Sequence, residues 1–328
     1  MPELFKHKML KPCSELSQLL EEDPIGTAPI WDTCIVIELP SPWSAKIEES
    51  KKFDKSITRH IDKLNQAGQS IRLQCILPDK QYSKPGMRRV ILFTKDSELL
   101  ISAHRLEYLI PEEHLTDLCM SILETSQHPT KYENFKQEYE SMRDILVCTH
   151  GNRDRCCGSI AVPLYNRLRN EYRKSTDPVN SIRIWRTSHT GGHRFAPTVI
   201  DLPQARYWAY VDNLTIDTII YKSGPITKLN KIYRGCALVS SVQEQNAEKE
   251  LLFNMGWGWI DSKKYVSTVK SINEYDSHVV KASFVDSQLN SETNFKFIIE
   301  YIKSVPTMNC MKEGNKGLNK KYRVIQSQ

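Results

Sequence analysis

The stretch DILVCTHGNRDRCCGSIAVPLYNRLRNEYRK, residues 144–174, changes character twice. It opens with Ile145, Leu146 and Val147, an apolar run of the length and branching that suits a buried strand. It closes with Ile160, Leu164, Leu168 and Tyr172 at helical spacing, with Pro163 tolerated near the first turn. Between the two lie Cys148, His150, Cys156 and Cys157, in a polar loop. A second strand-like run, IRIWRTS (182–188), follows the helix, so the segment reads as a β-α-β unit and points to the α/β class. That second strand also runs into an unusual loop, SHTGGHRFAP (188–197).

Working outward, ARYWAYVD (205–212) reads as a further strand and LTIDTIIYK (214–222) as a helix. The first half repeats this order. TCIVIEL (33–39) is a strand. KKFDKSITRHIDKLNQAG (51–68) is a helix that ends at Gly68, with Phe53, Ile57, Ile61 and Leu64 on one face. IRLQCIL, RRVILFT and ELLISAHRLEYL are strands, and PEEHLTDLCMSILETS (111–126) is a second helix. The two halves thus resemble each other in element order, though not in residues. After Tyr233 the texture changes. Ser241 and Glu244 form a capping box before the helix SVQEQNAEKELLFNMG, and KYVSTVKSI, HVVKASFVD, FKFIIEYI and KKYRVIQ read as short antiparallel strands. The expected organisation is a leader (1–30), an N-terminal α/β lobe (31–140), a related α/β domain (141–240) and a C-terminal helix and β appendage (241–328).

The composition sets limits on function. Glu3, Lys6, Lys8 and Lys11 lie where a secretory signal would need apolar residues, and no run of about 18 apolar residues marks a membrane span. Nine cysteines, scattered and odd in number, fit a reducing cytoplasm rather than a disulfide scaffold. A net charge of +6 over 328 residues does not indicate nucleic acid. Between residues 141 and 200, however, ten basic side chains face four acids, an excess of six. Arg153, Arg155 and Arg194 fall inside the two unusual loops, where they would orient an acidic partner. The Trp257–Gly–Trp259 segment beside a helix end reads as packing between lobes.

Each unusual loop leaves the C-terminal end of a strand, the edge at which open α/β sheets place ligands. Cys157 lies where a helix begins, and there the helix terminus is expected to favour its thiolate. His189 and His193 are separated by Thr190 and two glycines that let the backbone fold tightly. Cys148, Cys157, His189 and His193 could therefore hold zinc, or equally a [2Fe–2S] cluster with two histidines on one iron. Composition and spacing leave the metal open. Cys13, Cys34, Cys75, Cys119, Cys236 and Cys310 read as buried small hydrophobes. Cys156 reads as a bystander thiol ahead of an alternative ligand, and His150 as a solvated loop residue ahead of one that hydrogen-bonds to the site.

The blocks DILVCTHGNRDRCCG, RTSHTGGHRFAPTVIDLPQARYWAYVD and YRGCALVSSVQEQNAEKELLFNMGWGW, taken in order, resemble the sucrase/ferredoxin-like family. That resemblance implies a thioredoxin-like [2Fe–2S] ferredoxin domain with Cys148, Cys157, His189 and His193 as ligands. It implies a soluble electron carrier or redox sensor served by a redox partner protein, such as an acidic flavoprotein reductase, without nucleic acid or membrane partners. It does not imply sucrose cleavage, since no pair of carboxylates is placed for glycoside hydrolysis. A thiol oxidoreductase and a zinc-stabilised interaction module are the competing expectations.

Overall fold

The computed structural model describes residues 12–96, 102–125, 128–139, 141–172, 181–273, 277–286, 291–307 and 317–327. A short helix α1 (Cys13–Leu19) precedes the first lobe: β1 (Thr33–Glu38), α2 (Lys55–Gln66), β2 (Ile71–Ile76), β3 (Met87–Thr94), β4 (His104–Pro111) and α3 (Leu115–Thr125). A two-residue strand β5 (Lys136–Gln137) leads to the second lobe. That lobe comprises β6 (Met142–Cys148), α4 (Arg155–Ser159), α5 (Ala161–Tyr172), β7 (Ser181–Thr187), β8 (Val199–Leu202), β9 (Arg206–Trp208), α6 (Asn213–Tyr221) and β10 (Tyr233–Cys236). The expected strand residues 98–101, and Arg173, Lys174, Asp177 and Cys310, lie outside the described residues.

All ten strands form one sheet in the order β10-β9-β8-β6-β7-β2-β1-β3-β4-β5. In each lobe the helix-linked strands are parallel neighbours, β1 with β2 and β6 with β7. The next strand then pairs antiparallel with the first of them, β3 with β1 and β8 with β6. The repeated element order is therefore a repeated topology. The lobes meet edge to edge at β2 and β7 through a single residue pair, Ile76 with Thr187. Gln74 reinforces this joint by donating to Thr187 Oγ1 (2.8 Å) and to the Ser188 carbonyl (2.6 Å).

Alternation along the strands explains how the first lobe is packed. Ile35, Ile37, Val90 and Leu92 bury one face under Ile57 and Ile61 of α2 and Leu118 and Ile122 of α3. Cys34, Val36, Ile91 and Phe93 point the other way and join the core of the second lobe with Ile145, Val147 and Ile184. Each such side chain removed from water contributes about 1.5–3 kcal/mol. Charged groups also cross between the lobes. Arg183 donates to both Glu107 oxygens (2.9 Å each) and to Asp144 (2.8 Å), while Arg105 reaches Asp144 at 3.0 Å. Arg89 and Arg105 also pair with Glu107. Burial alone would raise both carboxyls. For Asp144 the Arg105 and Arg183 guanidiniums outweigh it, and for Glu107 Arg183 does so, followed by Arg105, and both acids are held below the usual range.

The C-terminal part is α7 (Val242–Met255), a single turn α8 (Gly258–Asp261) and an antiparallel sheet β11 (Lys263–Asn273), β12 (Ser277–Asp286), β13 (Ser291–Pro306) and β14 (Leu318–Ser327). Ser241 caps α7 by accepting from the Glu244 amide at 3.1 Å. Buried Glu248 ties this part to the second lobe, accepting from Arg206 (2.7 Å), Tyr233 (2.7 Å) and Trp259 (2.8 Å). Trp259 is thus a packing element, as its sequence context suggests. No helix among the described residues is long and apolar enough to cross a membrane.

Candidate metal centre

Cys148 and Thr187 are paired last residues of two parallel strands, so the cysteine and histidine loops leave the same edge of the sheet. In the cysteine loop, Asp154 caps α4 by accepting from the Cys156 amide at 2.8 Å. This turns the chain back so that Cys157 comes to Cys148. The turn requires close backbone approach: a Cβ on Gly158 would lie 2.7 Å from the Gly151 Cα. In the histidine loop Gly191 and Gly192 both have positive φ, +80° and +66°, a region open to glycine. Buried Arg234 fixes that loop from below. It donates to the Gly191 carbonyl (3.1 Å) and the Thr27 carbonyl (2.6 Å).

The structure brings three of the four expected ligands together. One donor atom each from Cys148, Cys157 and His189 lie within 4.8 Å of one another, and Cys157 Sγ is 3.9 Å from His189 Nδ1. Both sulfurs are buried. Two sulfurs and a ring nitrogen form a donor set suited to a thiophilic metal. The Cys148 thiol is held well below its ordinary range, first by the hydrogen bond from Cys157 and then, against burial, by His189. The Cys157 thiol is raised by its bond to Cys148 and by burial. The favoured thiolate is therefore Cys148, not the expected Cys157, because the hydrogen bond between the two sulfurs lowers the one and raises the other.

His193 is oriented differently. Its ring lies 6.2 Å from that of His189, and its Nδ1 faces Asp154 Oδ2 (3.0 Å) and Cys13 Sγ (3.1 Å). Burial, then His189, push its pKa down to about 4, so the ring is neutral at pH 7 and donates from Nδ1 to Asp154. That leaves Nε2 as the nitrogen open to a metal, the arrangement by which a carboxylate fixes a histidine ligand.

His150 is 3% exposed, not solvated as its loop position suggests. Its Nε2 faces the Ser44 carbonyl at 2.8 Å, which can only accept, so Nε2 carries the proton. Nδ1 then accepts from the His189 amide at 3.3 Å, with Trp43 edge-on to the ring. His150 therefore positions the backbone of His189. Its pKa is lowered by burial. Arg72 adds a bond to the His189 carbonyl at 3.2 Å. A cavity of about 530 Å³, lined by Arg72, His150, Arg153 and His189, opens beside the centre.

Much of the local basic excess is neutralised internally. Arg143, Arg167, Arg169 and Arg183 pair with Asp201, Asp217, Asp79 and Asp144 respectively. Arg194 pairs with Glu22 at 3.0 Å, whereas Arg153 and Arg155 are exposed. Cys34, Cys75, Cys119 and Cys236 are buried within the hydrophobic cores, as expected of small apolar residues. Cys13 is buried too, but against the centre, and Cys156 faces it at 3.4 Å. Sequence reading also missed Asp154 and Arg234. The Asp three residues before Cys157 is a helix-capping signal, whereas nothing local marks Arg234 or Cys13.

A family model described as sucrase/ferredoxin-like matches residues 24–235. Among curated proteins, altered inheritance of mitochondria protein 32 of Meyerozyma guilliermondii is 26% identical over 140 residues, 38% of this chain. The chain spans 43% of the length of that relative. No solved structure matches.

Proposed function

The chain belongs to the sucrase/ferredoxin-like family, and from that premise we propose that it is an electron carrier or redox sensor whose Cys148, Cys157, His189 and His193 hold a [2Fe–2S] cluster. The observation that carries this reading is the convergence of Cys148, Cys157 and His189 from two neighbouring strand ends. The β-α-β unit followed by antiparallel strands supports the thioredoxin-like part of it. When bound, such a group supplies a one-electron couple, and two neutral imidazoles in place of thiolates raise its potential above the about −400 mV of plant-type ferredoxins.

The protein's own residues set the conditions. Burial of Cys148 and Cys157 keeps water from the sulfurs. His150 and Arg72 hold the two backbone groups of His189, and Asp154 holds Nδ1 of His193. Exposed Arg153 and Arg155 lie on the cysteine loop, where they would meet an acidic redox partner such as a flavoprotein reductase. The scattered cysteines fit work in the cytoplasm.

The test is chemical. Protein purified without oxygen is expected to be reddish-brown and to hold about two iron atoms and two acid-labile sulfides per chain. Cys148→Ser should remove both. Colourless protein with zinc in place of iron would overturn the assignment.

A further inference from the structure

A second group of donors lies beside the first, and the proposed function does not use it as a metal site. Cys13 Sγ, Cys156 Sγ and an Asp154 carboxylate oxygen lie within 4.8 Å of one another, on three buried residues. The sulfurs are 3.4 Å apart, and His193 Nδ1 completes the group at 3.1 Å from Cys13 and 3.0 Å from Asp154. Zinc takes thiolate at about 2.3 Å and nitrogen or carboxylate oxygen at about 2.0–2.2 Å. The edges of that tetrahedron are roughly 3.3–3.8 Å, so the three closest pairs here need to open only slightly to admit an ion. We propose that Cys13, Asp154, Cys156 and Nδ1 of His193 form a second, mononuclear site for a thiophilic divalent cation, with zinc the ion its donors suit best.

Charge supports the assignment. Two ionised thiols beside a carboxylate that is 2% exposed would concentrate negative charge, and a divalent cation neutralises it directly. The donors come from three separate segments: α1, the cysteine loop with α4, and the histidine loop. An ion there fastens α1 to both loops, so binding and local folding are linked. The inference goes beyond the proposed function and does not rest on it. The two sites share only His193: an ion on Nδ1 displaces the proton that this nitrogen otherwise donates to Asp154 at 3.0 Å, and with Nε2 on the cluster the ring would bridge the two sites as imidazolate.

Cobalt(II) tests the site, because thiolate coordination in a tetrahedral field gives it charge-transfer and d–d absorption that zinc lacks. Full-length reduced protein is expected to bind about one cobalt per chain with that spectrum, and zinc should displace it. Cys13→Ser and Cys156→Ser should each abolish the spectrum, while Cys148→Ser should lose iron and keep it. Cys13 lies on the first described helix, outside both lobes, so its variant keeps the test usable if Cys156→Ser fails to fold; circular dichroism checks both. A cobalt spectrum that survives both substitutions, or disappears only in Cys148→Ser, would overturn the site. Colourless protein whose spectrum is lost in Cys13→Ser and kept in Cys148→Ser would sink the cluster and leave this site standing. Brown protein without it would do the reverse.

Discussion

Replacing His150 by alanine removes two contacts at once, one to the Ser44 carbonyl and one from the His189 amide. Leaving such buried groups unpaired costs about 1–3 kcal/mol, which a shift in urea midpoint would register. Loss of a partner that orients a ligand lowers metal affinity about 10–100-fold, so iron per chain should fall under mild chelation as well. A variant with unchanged stability and unchanged iron retention would show that His150 positions nothing. At this scale the sequence was legible where chemistry repeats at short range. The family resemblance selects Cys148 and Cys157, while the cysteine loop as a whole and the His189–His193 pair stand out by spacing. His150 did not, because the wall that buries it, Trp43 and Ser44, comes from the other lobe. Cys13 was hidden for the same reason: its partners His193 and Cys156 lie 180 and 143 residues away.

The joint between the cysteine loop and α4 offers a test at the level of the element. Gly158→Ala places a methyl 2.7 Å from the backbone of Gly151, where no flexible side chain can yield. Overpacking of this kind costs about 1–3 kcal/mol, and the loop rather than the sheet should give way. The expected result is a modest fall in melting temperature with a disproportionate loss of bound iron. An unchanged iron content would mean that the loop tolerates the strain. Elements were easier to read than residues, because local periodicity and caps decide them. The helix expected at 51–68 forms over Lys55–Gln66, starting at the Asp54 cap, and the helix expected at 111–126 forms over Leu115–Thr125. Pro111 instead opens a single tighter turn, Glu112–His114, before that helix. Strand order was beyond reach, since nothing local says that β2 should meet β7.

For the whole molecule, the buried set of Asp144, Glu107, Arg105 and Arg183 predicts how the fold fails in acid. Both carboxyls are depressed in the folded state, whereas in the unfolded chain they titrate near about 4. Below that value the unfolded chain binds protons first, so the stability they contribute is full at neutral pH and drains away as acid rises through the folded values. The urea midpoint should stay level down to about pH 5 and then drop, by at most about 1.4 kcal/mol per pH unit for each group. Asp144→Asn should flatten part of that slope and lower stability at pH 7 by about 3–5 kcal/mol, since two guanidiniums lose a buried counter-charge. An unaltered acid limb would place the sensitivity elsewhere. The same two-lobed plan has a consequence for dissection. β1 and β6 hold equivalent places in their lobes, and the loop after β1 is the one that props the loop after β6, through Ser44 and through the Trp43 carbonyl that accepts from Asn152 at 2.7 Å. A fragment beginning at residue 141 would keep both sulfurs and both imidazoles of the centre but lose the brace supplied by its topological twin. The half that carries the proposed centre borrows its rigidity from the half beside it.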